Sequence, residues 1–218
     1  MEDPKLLNYL ETFVSAKRLQ RFEEVLHWRT RYLTVVMEDV YHQHNASAVI
    51  RSADIFGIQD VHLIEDRFSD RLDKKIALGA QKWTNIHKHN STEECIKSLR
   101  GQGFSIIATT SKPEAKTIEQ IPIDQKMAFV FGTEKEGLSE DALAKADELL
   151  HISMVGFTES LNVSVAVAIV LHQITKKLHS SGENWQLSKE EKAVIRADWI
   201  KKSIKNIDKI VARFQEGM

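Results

Sequence analysis

The sequence predicts an α/β fold, a mostly parallel sheet with helices on both faces, flanked by helical extensions at both ends. Between about residues 32 and 179, short apolar runs rich in β-branched residues alternate with segments whose apolar residues recur every three or four positions. The apolar runs are continuous, as is typical of strands that are buried on both faces. Three prolines and nine glycines leave little room for long flexible linkers.

The flanking extensions are predicted from helical periodicity. In residues 1–31 the spacing predicts one or two helices, on Phe13, Ala16, Leu19, Phe22 and Leu26. The central domain is predicted over residues 32–179, and the composition changes at Ser180-Ser181-Gly182. In residues 180–218 a helix should begin near Lys189, and one further apolar stripe predicts a single continuous helix, on Ile200, Ile204, Ile207, Val211 and Phe214.

Strands and helices alternate through the central domain. Apolar runs predict strands at 32–37, 60–65, 104–109, 127–131 and 150–154. Helical spacing and capping residues predict helices at 44–56, 70–80, 91–100, 139–146 and 162–178. Ser91 or Thr92 is suited to cap the third of these helices, and Ser139 the fourth.

Charge is distributed unevenly, although the formal net charge is only −1. Basic residues are concentrated in the two extensions, and six of them are candidates for gripping RNA phosphates: Lys17, Arg18, Arg21, Lys201, Lys202 and Lys205. The alternative is that these residues form solvated helix faces. Basic residues in both extensions and a nearly neutral central domain are consistent with a catalytic core whose extensions bind nucleic acid.

Other broad classes are disfavoured. The longest apolar run, near 163–171, is far shorter than the roughly 20 residues that span a bilayer. The N-terminal residues lack the features of a signal peptide, so we expect a cytoplasmic protein. Cys95 is the only cysteine, and we expect neither an intramolecular disulfide nor a cysteine-based zinc site. The pairs His42/His44 and His87/His89 are interpreted as surface or loop histidines, and no metal is expected.

Three loops at the carboxyl ends of predicted strands contain the candidate chemistry, since open α/β sheets bind ligands there. They are residues 44–51, 131–139 and 152–165. Gly132 and Gly137 permit positive φ or a close backbone approach, with the carboxylate of Glu134 between them. By itself this Gly-x-Glu-x-x-Gly pattern would indicate only a turn and a helix cap. The absence of G-x-G-x-x-G, Walker and nucleophile-elbow motifs disfavours dinucleotide, NTP and hydrolase functions.

In this order and spacing, the three loops resemble the signature motifs of the SpoU (TrmH-type) branch of the SPOUT methyltransferases, over roughly residues 34–178. Residues 21–40 and 185–214 resemble the helical extensions of the branch's tRNA-modifying subgroup. The resemblance implies a deep trefoil knot in the C-terminal half of the domain and an obligate homodimer with active sites at its interface. One departure is Ser153, where the third motif usually has proline, so we expect looser cofactor geometry.

The resemblance also implies a reaction: methyl transfer from S-adenosylmethionine to a ribose 2′-hydroxyl of tRNA, at the D-loop guanosine of position 18. Neither a membrane nor DNA is an expected partner. The donor would lie against Thr109, Gly132, Ile152 and Leu161, by position in the motifs. The reaction centre would be lined by Asn45, Arg51, Glu134, Ser160 and Asn162.

Arg51 is the leading catalytic candidate. A guanidinium with a pKa above about 12 rarely gives up a proton, so clamping a phosphate and polarising the hydroxyl suit it better than acting as a base. The alternative is a surface arginine paired with Asp54 or Glu38. For Asn45 and Asn162 the alternative role is helix capping, which is compatible with a role in the site.

Three rival functions remain at this point. The same chemistry could act on ribosomal RNA or on another tRNA position. A catalytically silent RNA-binding protein could share the fold, although it would have no chemical need for the set Asn45, Arg51, Glu134 and Asn162. A dinucleotide-dependent enzyme is disfavoured because the glycine fingerprint is absent.

Overall fold

The structure is a computed structural model that describes residues 3–39, 43–64 and 77–216. Its chain forms two compact units. The first, which we call the helical unit, contains Met1–Arg29 and Gln186–Met218, and the second, the sheet unit, contains Thr30–Trp185. Both predicted extensions therefore belong to one unit, with limits that differ by two and six residues from the predicted boundaries after residues 31 and 179.

The described residues form eight α-helices and six strands. The helices are α1 (Pro4–Glu11), α2 (Ala16–Trp28), α3 (Gln43–Ile55), α4 (Thr92–Gly101), α5 (Glu140–Ala144), α6 (Val163–His179), α7 (Lys189–Ser203) and α8 (Ile207–Glu216). The strands are β1 (Leu33–Glu38), β2 (Asp60–Ile64), β3 (Asn85–His89), β4 (Phe104–Thr110), β5 (Lys126–Phe131) and β6 (Glu148–His151).

The six strands make one sheet in the order β3-β2-β1-β5-β4-β6, and every described pairing is parallel. In the centre of the sheet, Val35 of β1 is in register with Val61 of β2 and Phe129 of β5. The predicted parallel α/β architecture is confirmed. A parallel sheet aligns the carboxyl ends of its strands, so the loops that follow these strands lie along one edge.

Helices cover both faces of the sheet, as predicted. On one face, Val35, Met37, Phe129 and Phe131 belong to a buried cluster together with residues of α3 and α6. The alternate strand residues belong to a second cluster with residues of α4 and α5: Val36, Ala128, Val130, Cys95, Ile96, Leu99 and Ala142. Burial on both faces explains the continuous apolar runs in the sequence.

Helix α6 has more buried residues than any other described helix of the sheet unit. Seven of its 17 residues are buried: Val163, Val167, Val170, Leu171, Ile174, Thr175 and Leu178. Across the described ranges, no helix combines the length and the apolar character needed to cross a membrane.

The helical unit is held together around Trp199 of α7, which is 2% exposed. Phe22 packs edge-on against the Trp199 ring at 5.5 Å, and the guanidinium of Arg29 lies 5.3 Å from the ring centroid. Arg196 donates to Glu11 of α1 and, at 2.6 Å, to Glu23 of α2. Aromatic packing and ion pairs therefore join α1, α2 and α7 within this unit.

One sequence expectation is wrong, one strand is shifted, and one strand was not predicted. The single helix expected through the 200–214 stripe is broken, because Ile204 is extended and Asn206 adopts a left-handed φ of 55°. The strand expected at 150–154 lies at Glu148–His151, where Ile107 pairs with Glu148, and the chain then leaves the sheet. Strand β3 was not predicted at all. The helix expected at 70–80 lies mostly outside the described residues.

Candidate active site

The three candidate loops lie along the carboxyl edge of the sheet. The first lies in α3 after β1, the second follows β5, and the third follows β6. Strands β1 and β5 are neighbours, and β4 lies between β5 and β6. The sheet order therefore places loops that are far apart in sequence along the same edge.

Glu134 joins all three loops. Its Oε1 accepts a hydrogen bond from Asn45 Nδ2 at 2.9 Å and a shorter one from Asn162 Nδ2. The Asn162 amide also donates to Asn45 Oδ1 at 3.2 Å. We call these three side chains the Asn–Glu–Asn cluster. The structure thus brings together three of the five residues assigned to the reaction centre.

Asn162 combines capping with membership of the cluster. Its Oδ1 accepts from the backbone N–H of Ser164 at 2.9 Å, which caps α6, and from Ser164 Oγ at 2.6 Å. The same side chain donates through Nδ2 to Glu134. Because the cap engages the amide oxygen, the amide nitrogen faces the carboxylate. The two roles weighed for Asn162 are therefore compatible.

A cavity of about 410 Å³ opens beside Glu134, at the ends of β4, β5 and β6. Its lining includes all four residues assigned to the donor: Thr109, Gly132, Ile152 and Leu161. Glu134 and Ser160 line it as well, whereas Asn45, Arg51 and Asn162 do not. The volume lies in the range of ordinary small-molecule pockets.

The wall of this cavity depends on a tight turn between Gly132 and Gly137. Thr133 and Gly137 exchange two backbone hydrogen bonds, of 3.0 and 3.1 Å, and Gly137 has a φ of +70°. A Cβ atom at Gly132 would lie 2.1 Å from the carbonyl oxygen of Gly137. Gly132 is therefore required by a close approach of the chain to itself.

Arg51 is exposed on α3. Among the described residues, no hydrogen bond joins it to Asn45, Glu134 or Asn162. Glu38, one of its two alternative partners, is bonded elsewhere, because its carboxylate accepts from Thr92 and Ser139. In the described part of the chain, Arg51 is therefore not hydrogen-bonded to the Asn–Glu–Asn cluster.

Sequence reasoning missed the supporting role of Glu38, which is 4% exposed at the end of β1. Ser139 donates to it through its backbone N–H and its hydroxyl, each at 2.8 Å, and Thr92 Oγ1 donates to the same carboxylate. Ser139 is the last residue of the second loop and caps α5. The available signal was an acidic residue that ends a continuous apolar run.

The six basic residues proposed to grip RNA all lie in the helical unit. Lys17, Arg18 and Lys205 are exposed, and Lys201 is half-buried. Arg21 forms an ion pair with Glu24 at 3.1 Å, and Lys202 with Asp198 at 2.6 Å. Such exposed pairs are weak and can exchange an acidic partner for a phosphate.

The histidines differ from expectation in one respect. His42 lies outside the described residues, and His44 and His87 are exposed as expected, but His89 is half-buried in β3. His89 Nε2 is 2.9 Å from Nδ1 of the buried His62. Burial lowers the pKa of His62 to about 4, and burial followed by the charges of Glu94 and Glu38 raises the pKa of Cys95 to about 12.

Comparison with known proteins agrees with this geometry, and the chain belongs to the SpoU rRNA Methylase family, whose model matches residues 32–172. It is 39% identical over 202 residues to a tRNA (guanosine(18)-2′-O)-methyltransferase of Borreliella burgdorferi, covering 93% of each chain. The enzyme of the same name from Thermus thermophilus is 34% identical over 187 residues, covering 85% of this chain and 96% of its own.

A solved structure extends the likeness to the fold. The TrmH/SpoU tRNA modifying enzyme of A. aeolicus superimposes with a TM-score of 0.79 at 29% sequence identity. The match covers 87% of this chain and 98% of that one. Because the family model matches only residues 32–172, the likeness to this solved structure also includes residues outside that match.

Proposed function

We propose that this protein transfers a methyl group from S-adenosylmethionine to the ribose 2′-hydroxyl of guanosine 18 in the D-loop of tRNA. The observation that carries the proposal is the convergence of the three family motifs on Glu134, beside a cavity of about 410 Å³. Near-full-length relatives that are named for this reaction supply the substrate.

The cavity suits the methyl donor. Thr109, Gly132, Ile152 and Leu161 would surround the donor, and the turn at Gly132 would leave backbone groups within its reach. When bound, S-adenosylmethionine supplies an electrophilic methyl group on a sulfonium whose leaving group is a neutral thioether. The carboxylate of Glu134, which lines the same cavity, has the charge that attracts a sulfonium cation.

Arg51 would act on the RNA. Its guanidinium would clamp the phosphate next to the target ribose and polarise the 2′-hydroxyl, and an RNA phosphate would accept the proton. Asn45 would position the ribose, with its amide fixed by Glu134 at 2.9 Å. Asn162 and Ser160 would hold the third loop beside the donor. Catalysis would then consist chiefly of alignment and partial desolvation.

A homodimer would complete this site. Arg51 is exposed and has no described hydrogen bond to the Asn–Glu–Asn cluster, which is consistent with a site at which it meets a second copy. Val155 and Phe157 of the third loop are fully exposed, so this loop offers an apolar surface beside the cavity. The trefoil knot implied by the family resemblance stays a prediction.

The helical unit would bind the body of the tRNA through its basic residues. We expect Lys17→Ala with Arg18→Ala to raise the KM for tRNA about tenfold with little change in kcat. The slope of log affinity against log salt should become shallower by about one for each phosphate contact removed. The control is Lys97→Ala, an exposed lysine on α4 of the sheet unit. An equal rise in KM for the control would contradict this role.

The test of the function is methyl transfer from labelled S-adenosylmethionine to unmodified tRNA transcripts and ribosomal RNA, with the labelled nucleotide mapped. We expect label on one D-loop ribose, and its loss in Arg51→Ala by about 100-fold or more. Label on ribosomal RNA or at another tRNA position would keep the chemistry and overturn the substrate. RNA binding without label would favour a silent binding protein.

A further inference from the structure

Three side chains on one face of the sheet form a cluster with no part in the proposed methyl transfer. They are His62 of β2, His89 of β3 and Cys95 of α4. One potential ligand atom from each residue lies within 4.8 Å of the other two. We call this the His–His–Cys cluster. None of its members lines the cavity beside Glu134.

The cluster is built on rigid elements. Strands β2 and β3 are hydrogen-bonded neighbours, and α4 packs on the same face of the sheet through Ile96 and Leu99. Cys95 is fully buried, and His62 is 5% exposed. Since the side chains come from two strands and a packed helix, they are held in place before any ligand binds.

The distances suit a tetrahedral metal ion. Zinc binds histidine nitrogen at about 2.0–2.1 Å and cysteine sulfur at about 2.3 Å, which places its ligand atoms about 3.3–3.6 Å apart. His62 Nδ1 and His89 Nε2 are 2.9 Å apart, and the Cys95 sulfur lies within 4.8 Å of one nitrogen of each ring. To reach this spacing the nitrogens would separate by roughly half an ångström and the sulfur would approach by up to about 1.2 Å, through rotation of the imidazole and thiol side chains.

The donor set is selective for one class of metal. Two imidazoles and one thiolate suit zinc and other borderline-soft transition metals, whereas magnesium and calcium prefer oxygen ligands. Glu94 and Glu38 lie close enough to Cys95 to act on it electrostatically. Their negative charges favour a cation at the cluster.

The simpler alternative is a hydrogen-bonded pair of buried imidazoles beside a thiol that packs as a small apolar group. This arrangement satisfies one nitrogen of each ring and needs no ion. It differs from a metal site in one measurable respect, because it predicts no cation whose affinity depends on the Cys95 sulfur.

We propose that His62, His89 and Cys95 bind a zinc-class divalent cation, as a structural clamp that joins β2, β3 and α4. On binding, the Cys95 S–H bond breaks, a sulfur–metal bond forms, and one proton is released to solvent. The imidazoles bind as neutral ligands, and the proton shared between them moves to the outer nitrogen of its own ring. Three protein ligands leave the fourth tetrahedral position to water.

This inference departs from the expectation that one cysteine cannot support a zinc site, since histidines supply the other two ligands. It stands apart from the proposed methyl transfer, because the clamp lies away from the cavity and has no part in the chemistry. Its test therefore uses metal spectroscopy and unfolding, with no activity readout.

The experiment titrates Co²⁺ into the chelator-treated full-length protein and follows thiolate-to-cobalt charge-transfer absorption in the near ultraviolet. We expect one equivalent of Co²⁺ to give this band and Zn²⁺ to abolish it by displacement. Cys95→Ser should lose the band, and His89→Gln should weaken Co²⁺ binding at least about tenfold. The control is His172→Gln, an exposed histidine on α6, and it should bind like the wild type.

A second readout guards against loss of folding in the variants. Zn²⁺ should raise the thermal unfolding midpoint of the wild type and of His172→Gln, and should leave that of Cys95→Ser unchanged. Two results would contradict the proposed metal site. One is a wild type that gives no charge-transfer band with Co²⁺, and the other is a zinc-induced rise in the unfolding midpoint that persists in Cys95→Ser. The latter result would place the ion on surface histidines.

Discussion

Two carboxylates each bridge distant segments of the sheet unit, Glu38 in the interior and Glu134 at the surface. Glu38 is 4% exposed and accepts hydrogen bonds from Thr92 and from the backbone and side chain of Ser139. Glu134 is exposed and accepts from the amides of Asn45 and Asn162. Both lie near the carboxyl edge of the sheet, one at the end of β1 and one after β5.

The difference separates stability from function. If Glu38 is removed, three donors lose an acceptor that is only 4% exposed, and leaving such partly buried groups unpaired carries a desolvation penalty. If Glu134 is removed, water can replace it, so little stability is lost. What is lost at Glu134 is the orientation of two amides beside the cavity. We infer that Glu38 maintains the fold and that Glu134 maintains the geometry of the site.

Glu38→Ala should have the largest effect, a loss of about 3 kcal/mol in the free energy of unfolding. Urea denaturation of the wild type and the variant measures it. Glu38→Gln keeps an acceptor oxygen and should recover part of the loss. A Glu38→Ala protein as stable as the wild type would contradict the role of Glu38 in maintaining the fold.

Glu134→Ala should lower kcat for tRNA methylation about 100-fold, because Asn45 and Asn162 lose their common acceptor and the site loses alignment. Its free energy of unfolding should stay within about 1 kcal/mol of the wild type, as for other exposed positions. Steady-state kinetics and urea denaturation on one preparation test both statements. A large loss of stability with unchanged kcat would reverse the roles assigned to the two carboxylates.

Gly132→Ala tests whether the tight turn at Gly132 shapes the donor cavity. The added Cβ would lie 2.1 Å from the Gly137 carbonyl oxygen, so the cavity wall must shift. We expect the Kd for S-adenosylmethionine to rise about tenfold or more in isothermal titration calorimetry, by analogy with other losses of positioning contacts.

The matched control for this change is Gly182→Ala, where an added Cβ would meet no atom within 4 Å. This variant should bind the donor like the wild type. Equal affinities in all three proteins would mean that the turn at Gly132 does not shape the donor site.

Thr92→Val should have the smallest effect, about 1 kcal/mol, because it removes one of the three hydrogen bonds to Glu38 and preserves the shape of the side chain. Thermal unfolding measures this loss, and methylation should keep its wild-type kcat. A drop in kcat at unchanged stability would connect Glu38 to catalysis, and Glu38 and Glu134 would then not divide stability and function between them.

The central strands could be predicted because strands that are buried on both faces consist of continuous apolar runs. Predicted strands 104–109 and 127–131 agree within one residue with β4 and β5. Strand β3 was missed because its sequence, Asn85-Ile86-His87-Lys88-His89, has one apolar residue. As the edge strand it pairs only with β2 among the described strands, so its backbone pairing and not its side chains defines it.

The helix break at Asn206 illustrates a second limit. The apolar stripe continues through Ile204 and Ile207 with helical spacing, and neither glycine nor proline marks an end. Asparagine tolerates the left-handed conformation, and the backbone uses it here at a φ of 55°. Tertiary contacts decide whether a single residue such as Asn206 leaves the helical conformation, and the spacing of apolar residues contains no information on those contacts.

For the candidate site, the sequence identified the loops but not their connections. The motif resemblance assigned Asn45, Glu134 and Asn162 to one reaction centre, while the hydrogen bonds of both amides to Glu134 depend on the sheet order. Glu38 was considered only as a possible partner for Arg51, because a carboxylate that ends a strand shows no sign of which donors surround it. Long-range pairing of polar groups therefore required the structure.

The most direct test of the proposed reaction removes the acceptor oxygen. Two tRNAs that differ only in guanosine or 2′-deoxyguanosine at position 18 should be incubated with the protein and labelled S-adenosylmethionine, and the label in each counted. We expect one methyl group on the tRNA with guanosine and none on the tRNA with 2′-deoxyguanosine. Equal labelling of the two would contradict methylation of that ribose and place the reaction at another position.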